Sequence, residues 1–331
     1  MLSKKNLLRI LVNTLIGLGL VAFWLSVVDL DEVIKELNQV NPLFLIPPIF
    51  IFLLANVLRA LRLKILLSDY KIKAKDVIFL NGLSQLLSFT IPIRAGEVAK
   101  GVYLSTQYKI PLSKAIVWIF LDRFLDFLLV LILSLVLLSF IQTSLPSNLT
   151  QTLLIAVVIL ILGLILTYLF PNIIRKLMQL FAKLLVFKKL QLIFLSVGES
   201  VIDGALFLKR GFFPTTAILS LTLLATLADA FAWSVLFLGF QNPEPFIKVL
   251  LGSMLSALTY LIPAAPGYVG SAEASGLAVF HYGLGLDKTL ISAATLLYHG
   301  LTLIYMLVFG LLSLYFLKFD LNLVWKQFKK K

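Results

Sequence analysis

Residues 88–101 read S-F-T-I-P-I-R-A-G-E-V-A-K-G. They follow an apolar run from Val77 to Phe89, and they place Pro92, Arg94, Gly96 and Glu97 close together. Proline lacks the N–H that a helix interior needs, and glycine loosens the chain beside it. The stretch predicts a helix broken at membrane depth, with two opposite charges at the break.

The rest of the chain supports the membrane reading. Of 331 residues, 60% are hydrophobic and 14% charged, and the mean hydropathy is +1.02. Soluble domains are usually about half apolar and a quarter charged. Long apolar runs recur, which predicts an all-α polytopic integral membrane protein. The net charge of +13 does not indicate nucleic-acid binding, because the basic residues alternate with the apolar runs instead of forming one patch. The absence of cysteine excludes disulfides, thiolate metal sites and cysteine nucleophiles. The N-terminus, K-K-N-L-L-R and then an apolar run from Ile10 to Val28, is too long for a cleaved signal peptide and lacks a small-x-small site. It reads as a retained span.

Spans are expected at about 7–28, 42–64, 112–140, 151–170, 214–240 and 289–317, about six in all. Two interrupted segments lie at 77–107 and 246–283. In the second, I-P-A-A-P-G-Y-V-G-S-A-E-A-S-G (262–276) is the break. Residues 172–210 read as an amphipathic cytoplasmic segment, because Asn172, Arg175, Lys176, Gln179 and Lys183 recur at helical spacing opposite Ile174, Leu177, Leu180, Phe181 and Leu184. Orientation follows from Lys and Arg. With both termini cytoplasmic, only Lys35, Lys248 and Lys288 fall outside, and Arg94 and Arg123 fall within the membrane. All other basic residues, Arg59, Arg62 and Lys100 among them, then sit on the cytoplasmic side. This split requires both interrupted segments to be re-entrant hairpins.

The two hairpins then have opposite senses, and each half reads span, span, hairpin, span. The halves run over about 1–140 and 151–320 of a single transmembrane domain, 1–331. Asn56 precedes Pro92 by 36 residues and Asp229 precedes Pro263 by 34. Glu97 precedes Asp122 by 25 and Glu273 precedes His299 by 26. Order, sense and spacing together predict an inverted-topology repeat with a site between the broken elements.

Charged groups at membrane depth face cavities or partners. The candidates are Arg94, Glu97, Asp122, Arg123, Asp126, Asp229 and Glu273, with His299 as a titratable neutral group. Five carboxylates against two arginines leave an excess of negative charge, so shared protons or a bound cation are expected. Asp122 and Asp126 lie on one helix face and repel. Arg123 can pair with Asp126, and Arg94 is the expected partner of Asp122. The group reads either as a polar path or as an ion-pair clamp on the first hairpin. Gly96 opens one half-helix, and Gly267, Gly270 and Ser271 open the other. Such N-termini suit an anionic head group, and Arg94 adds a forked cation. The competing reading is close helix packing on small residues. Glu97 and Glu273 accept a cationic group or a proton, or cap their own helices. His299 reads as a hydrogen-bonded packing residue more than a metal ligand. Walker, dinucleotide, Ser-His-Asp and H-E-x-x-H patterns are absent, so no cofactor and no metal is expected.

N-V-L-R-A-L-R-L-K (56–64), the stretch at 88–101 and P-A-A-P-G-Y-V-G-S-A-E-A (263–274) resemble the flippase-like family that includes the transmembrane region of lysylphosphatidylglycerol synthases. Pro92, Arg94, Gly96 and Glu97 match its P-x-R-x-G-E element. Pro266, Gly267, Gly270 and Glu273 match the later element, where Tyr268 replaces a glycine. The resemblance implies movement of lipids or lipid-linked head groups between leaflets, without the soluble aminoacyl-transfer domain. The expected function is translocation of an anionic membrane lipid in the cell membrane. Asp122, Asp126, Asp229 and Glu273 would couple protonation to transport. The alternatives are a membrane-embedded transferase or hydrolase acting on a lipid phosphate, and a non-catalytic partner of a membrane glycosyltransferase. A membrane-bound enzyme partner or a homo-oligomer is compatible with either.

Overall fold

The computed structural model describes residues 4–91, 95–144, 147–259 and 265–321. Among these residues every regular element is helical. In order they are α1 (Lys4–Val27), α2 (Leu30–Gln39), α3 (Ile46–Leu66), α4 (Ala74–Thr90), α5 (Ala95–Tyr108), α6 (Leu112–Leu138), α7 (Ser147–Leu169), α8 (Pro171–Lys183), α9 (Lys188–Phe207), α10 (Phe212–Gly239), α11 (Phe246–Thr259), α12 (Ser271–Gly276) and α13 (Lys288–Leu317). A π-helical segment, Leu277–Gly283, extends α12.

Four helical stretches are long and apolar enough to cross a bilayer: Pro42–Leu66, Leu190–Phe207, Phe212–Gly239 and Lys288–Leu317. The count is six if the bent pairs Leu11–Val27 with Leu30–Gln39, and Leu154–Leu169 with Pro171–Lys183, each make one span. The protein is therefore a membrane protein with transmembrane helices. α6 has 27 residues, about 40 Å of helix, and carries Asp122, Arg123 and Asp126 in its middle. Large apolar side chains on the outer faces, such as Leu15, Leu18, Ile159, Leu162, Val308 and Leu311, are exposed. A water-facing surface would not leave so much apolar area open.

Local sequence explains the element ends. Asp29 caps α2 by accepting from the backbone N–H groups of Asp31 and Glu32 at 3.0 and 3.3 Å. This sets α2 at 86° to α1. Asn41 accepts from the Leu43 N–H at 3.0 Å ahead of a 3-10 turn at Pro42–Leu45 that leads into α3. Pro171 opens α8, which leaves α7 at 115°. Asp287 accepts from the Leu290 N–H at 2.8 Å and caps α13.

The stretch 172–210 differs from expectation. It is not one amphipathic segment but two helices. α8 carries the amphipathic pattern, and Arg175 pairs with Glu199 of α9 at 2.8 Å. α9 is apolar, with Ile202, Ala205 and Phe207 buried. Phe207 meets Trp118 of α6 edge-on at 5.9 Å. A Cβ at Gly204 would lie 2.4 Å from Leu121 Cδ1, so α9 and α6 approach closely there.

The core is built on two antiparallel pairs. α3 runs against α10, with Asn41 N–H donating to Gly239 O at one end and Arg62 donating to Thr222 near the other. α4 runs against α13, with Phe79 stacked on Phe316 and Phe89 edge-on to His299. Small residues allow the second approach: a Cβ at Gly310 would lie 2.4 Å from Leu86 Cβ.

Both predicted breaks fold back as helical hairpins. In hairpin 1, α4 and α5 are antiparallel: Ser88 donates to Glu97 at 3.2 Å, and Lys100 donates to Asn81 deeper in. In hairpin 2, Thr259 of α11 donates to Ser275 of α12 at 2.7 Å, and a Cβ at Gly252 would meet the Phe280 ring at 2.1 Å. The contacts between elements recur in pairs. α3 packs on α4 as α10 packs on α11. α13 packs on α4 as α6 packs on α11. α5 packs on α6 as α12 and its π-helical extension pack on α13.

Candidate functional site

The centre of the molecule holds a network of arginines and aspartates. Arg59 and Arg62 are three apart on α3 and share a face. Asp122 and Asp126 share a face of α6. Arg62 is completely buried and Asp122 is 1% exposed. Arg62 Nε donates to Asp122 Oδ1 at 2.8 Å, and its Nη2 donates to the Asp122 carbonyl at 2.8 Å and to Asp126 Oδ2 at 2.9 Å. Its Nη1 donates to Asp126 Oδ1 and, at 3.2 Å, to Thr222 Oγ1. A guanidinium has five N–H donors, and these five bonds use them all. Arg59 holds Asp229 of α10 through both terminal nitrogens, and its Nε lies 3.8 Å from Asp126 Oδ2. Arg123 donates to Asp122 Oδ2 at 3.1 Å and lies 3.7 Å from Asp126 Oδ2. The repulsion expected between Asp122 and Asp126 is offset by three guanidinium groups.

This network corrects two sequence expectations. Arg59, Arg62 and Lys100 are interior groups, not cytoplasmic-loop charges; Lys100 is 2% exposed. The charge count placed them on the cytoplasmic side because counting along a chain cannot see a partner from another helix. The expected excess of negative charge also disappears, since Asp122, Asp126 and Asp229 each hold a guanidinium. Asp122 takes Arg62 and Arg123 as partners. Arg94, its expected partner, lies outside the described residues, as do Pro92 and Pro263.

Hairpin 1 places the remaining predicted groups beside this network. Gly96 is buried at the start of α5, where a Cβ would lie 1.9 Å from the Ser84 carbonyl oxygen. That contact sets how closely α4 and α5 approach. Glu97 and Lys100, one turn apart on α5, line a cavity of about 170 Å³ with Asn81, Gln85, Ser88, Arg123 and Tyr268. A second cavity, of about 220 Å³, is lined by Arg59, Gln85, Arg123, Asp126, Asp229 and Ser253. Gln85 and Arg123 belong to both walls. Gln85 Oε1 and Arg123 Nε are buried with no hydrogen-bond partner among the described residues. The Arg123 side chain is 39% exposed, against 16% for Arg59 and 0% for Arg62, so of the three arginines it has the most room to move.

Hairpin 2 uses its predicted residues differently. Gly267 (φ +72°) and Gly270 (φ +81°) adopt the left-handed backbone that favours glycine. The Gly270 N–H donates to Glu273 Oε2 at 2.8 Å, so Glu273 caps its own helix, one of the readings the sequence left open. Ser271 donates to the Tyr268 carbonyl at 2.9 Å. His299 of α13 bridges Glu273 Oε1 at 2.7 Å and the Gly267 carbonyl at 2.6 Å. α1 closes the other side: a Cβ at Gly270 would lie 2.3 Å from the Gly17 carbonyl oxygen. Two of the groups expected to greet an anion, the Gly270 N–H and the Ser271 hydroxyl, are therefore engaged within the protein.

Sequence reasoning missed Arg59, Arg62, Lys100, Asn81 and Gln85. A signal for the first three existed. Asn56, Arg59 and Arg62 recur every three residues on one face, and Lys100 follows Glu97 by three. No three His, Asp or Glu residues among those described converge as metal ligands.

The family model described as "Lysylphosphatidylglycerol synthase TM region" matches residues 10–310. The comparison with curated proteins gave no match. No solved structure matches either.

Proposed function

Since the chain belongs to the lysylphosphatidylglycerol synthase transmembrane-region family, we propose that it moves a lipid head group between leaflets through the two adjoining polar cavities. One observation carries this reading. Both cavities share Gln85 and Arg123, whose buried Oε1 and Nε lack partners, inside helices whose outer faces are apolar. An unmet donor and acceptor at a common wall suit a group that passes and does not stay. Each cavity is several times the roughly 30 Å³ share of one water, room for a small polar head while the tails remain in lipid.

Arg123 of α6 would meet an anionic oxygen, with Arg94, from the first interrupted segment of the sequence, as a second cation. Lys100 and Glu97 would set the polarity of the hairpin 1 side. Arg59, Arg62, Asp122, Asp126 and Asp229 would form the clamp that holds α3, α6 and α10 around the path. Both readings of the charged cluster then apply, to different members of it. The paired helix contacts support an inverted-topology repeat in which α3 to α6 correspond to α10 to α13 and the hairpins enter from opposite sides. Even without Arg59, Arg62 and Lys100, the remaining Lys and Arg favour cytoplasmic termini, and residence in the cell membrane is part of the same proposal.

Phosphoryl chemistry is the weaker reading, because guanidinium groups occupy the aspartate oxygens a metal would need. The test is transfer of head-group-labelled phospholipids in reconstituted vesicles, followed by mass spectrometry of the lipids. Translocation predicts protein-dependent transfer with every lipid chemically unchanged. Altered lipid masses with no transfer would replace this reading with an enzymatic one.

A further inference from the structure

The acids inside the helix bundle differ in what holds them. Asp122, Asp126 and Asp229 are held by arginines, which do not release a proton in proteins. Glu273 is held by a histidine, the side chain whose charge changes near neutral pH. Hydrogen-bond accounting then fixes the protons. His299 Nδ1 faces Glu273 Oε1 at 2.7 Å and its Nε2 faces the Gly267 carbonyl at 2.6 Å. A carbonyl only accepts, so Nε2 carries a hydrogen. The short contact at Nδ1 needs one more, on the ring or on the carboxyl. Both contacts are satisfied together by one proton beyond those of a neutral imidazole and a carboxylate.

We propose that the Glu273–His299 pair is a proton-binding site that locks the tip of hairpin 2. Loss of the shared proton leaves a ring lone pair facing a carboxylate, or the ring turned so that the Gly267 carbonyl loses its donor. Either way one of two contacts breaks at a tip that Glu273 also caps through Gly270. The lock adjoins the proposed path, because Phe89 of α4 lies edge-on to His299 at 6.1 Å and packs on Tyr268 at 6.0 Å, and both line the 170 Å³ cavity. Tyr268 is the titratable group in the tip itself. Across the cavity stand Glu97 and Lys100 of α5. α1 contributes Gly17 and Leu20, which carry no charge, and α11 contributes Thr259 beside α12. The use of this proton in transport rests on the translocator reading; the proton site and the lock do not.

The test needs no lipid. The chain has two histidines and no cysteine, so ring-¹⁵N histidine spectra and single-cysteine labelling are both clean. In detergent, the His299 ring with its Glu273 partner should lose one proton over a single interval of a rising pH series. Its ring resonances should differ from those of His281, whose Nδ1 lies 2.7 Å from the Leu286 carbonyl. Maleimide labelling of Ser275→Cys, a near-isosteric change at a buried position, taken relative to a small free thiol at the same pH to remove thiolate formation, should rise over the same interval, by up to about tenfold per pH unit for one proton. In Glu273→Gln with Ser275→Cys, the amide can donate to Nδ1 and keep the lock closed, so labelling should stay slow at every pH. Labelling of Ser275→Cys that ignores pH, or a His299 ring with no titration in the unmodified chain, overturns the proposal. Normal titration and gating with no lipid transfer would instead overturn the translocator reading alone.

Discussion

Replacing Arg62 by methionine tests whether the arginine network holds the fold. The substitution keeps much of the aliphatic stem and removes the charge. Five hydrogen bonds go with it, two to Asp122, two to Asp126 and one to Thr222. Asp126 keeps only Arg123 at 3.7 Å and Arg59 at 3.8 Å. Asp122, 1% exposed, keeps only Arg123 at 3.1 Å. Removing one partner of a buried ion pair costs about 3–5 kcal/mol, a large part of a typical total stability of about 5–15 kcal/mol. The second variant is Arg62→Met with Asp122→Asn, which removes the most buried orphaned charge. Replacing a whole buried pair costs much less than breaking it, so the double variant should recover more than about 1 kcal/mol over additivity. Denaturant unfolding followed by tryptophan fluorescence reads both. A single variant within about 1 kcal/mol of the parent, or strictly additive changes, would refute the clamp.

Other perturbations separate packing from function. Gly96→Ala places a Cβ 1.9 Å from the Ser84 carbonyl oxygen, so it should cost about 1–3 kcal/mol by overpacking, read by unfolding of the purified variant. Lys100→Met removes a buried cation held by Asn81; stability should change by less than about 1.5 kcal/mol, while lipid transfer falls. Arg123→Gln removes a partly exposed guanidinium but leaves Asp122 and Asp126 on Arg62, so it should destabilise less than Arg62→Met in the same unfolding assay, again with loss of transfer in vesicles. Outside the membrane, the hydrogen bond from Arg210 holds the Asp69 carboxyl below its ordinary value. A lowered folded value stabilises above the unfolded value and is lost as pH falls through the folded one. Acid should therefore weaken the parent slightly more than Asp69→Asn in unfolding titrations below about pH 4.

The long helices and both breaks were legible because their signals are local. An apolar run of given length, a proline and a glycine need no partner to be read. α2 was equally local, with Asp29 followed by Asp31 and Glu32, and went unread because its apolar content is low. The arginine network was not legible as a network. Arg62 meets Asp122 60 residues on, and Arg59 meets Asp229 170 residues on. A charge-sidedness count assigns such residues to loops because it treats each charge as if it faced water. Glu273 and His299 were singled out separately, but only the fold brings them to the same hydrogen bond. The amphipathic reading of 172–210 failed past Lys183, where α9 turns apolar and buries Ile202, Ala205 and Phe207.

The central claim is that a lipid head group crosses through the two cavities that Gln85 and Arg123 share. Gln85→Trp adds bulk to the common wall and deletes none of the hydrogen-bonding groups of the arginine clamp. The decisive measurement is leaflet transfer of head-group-labelled phospholipid by this variant and by the parent, reconstituted in equal amounts. Passage through the shared wall predicts transfer by the parent and a fall to the protein-free rate in Gln85→Trp, with unchanged thermal unfolding. Equal transfer by a folded Gln85→Trp would contradict it.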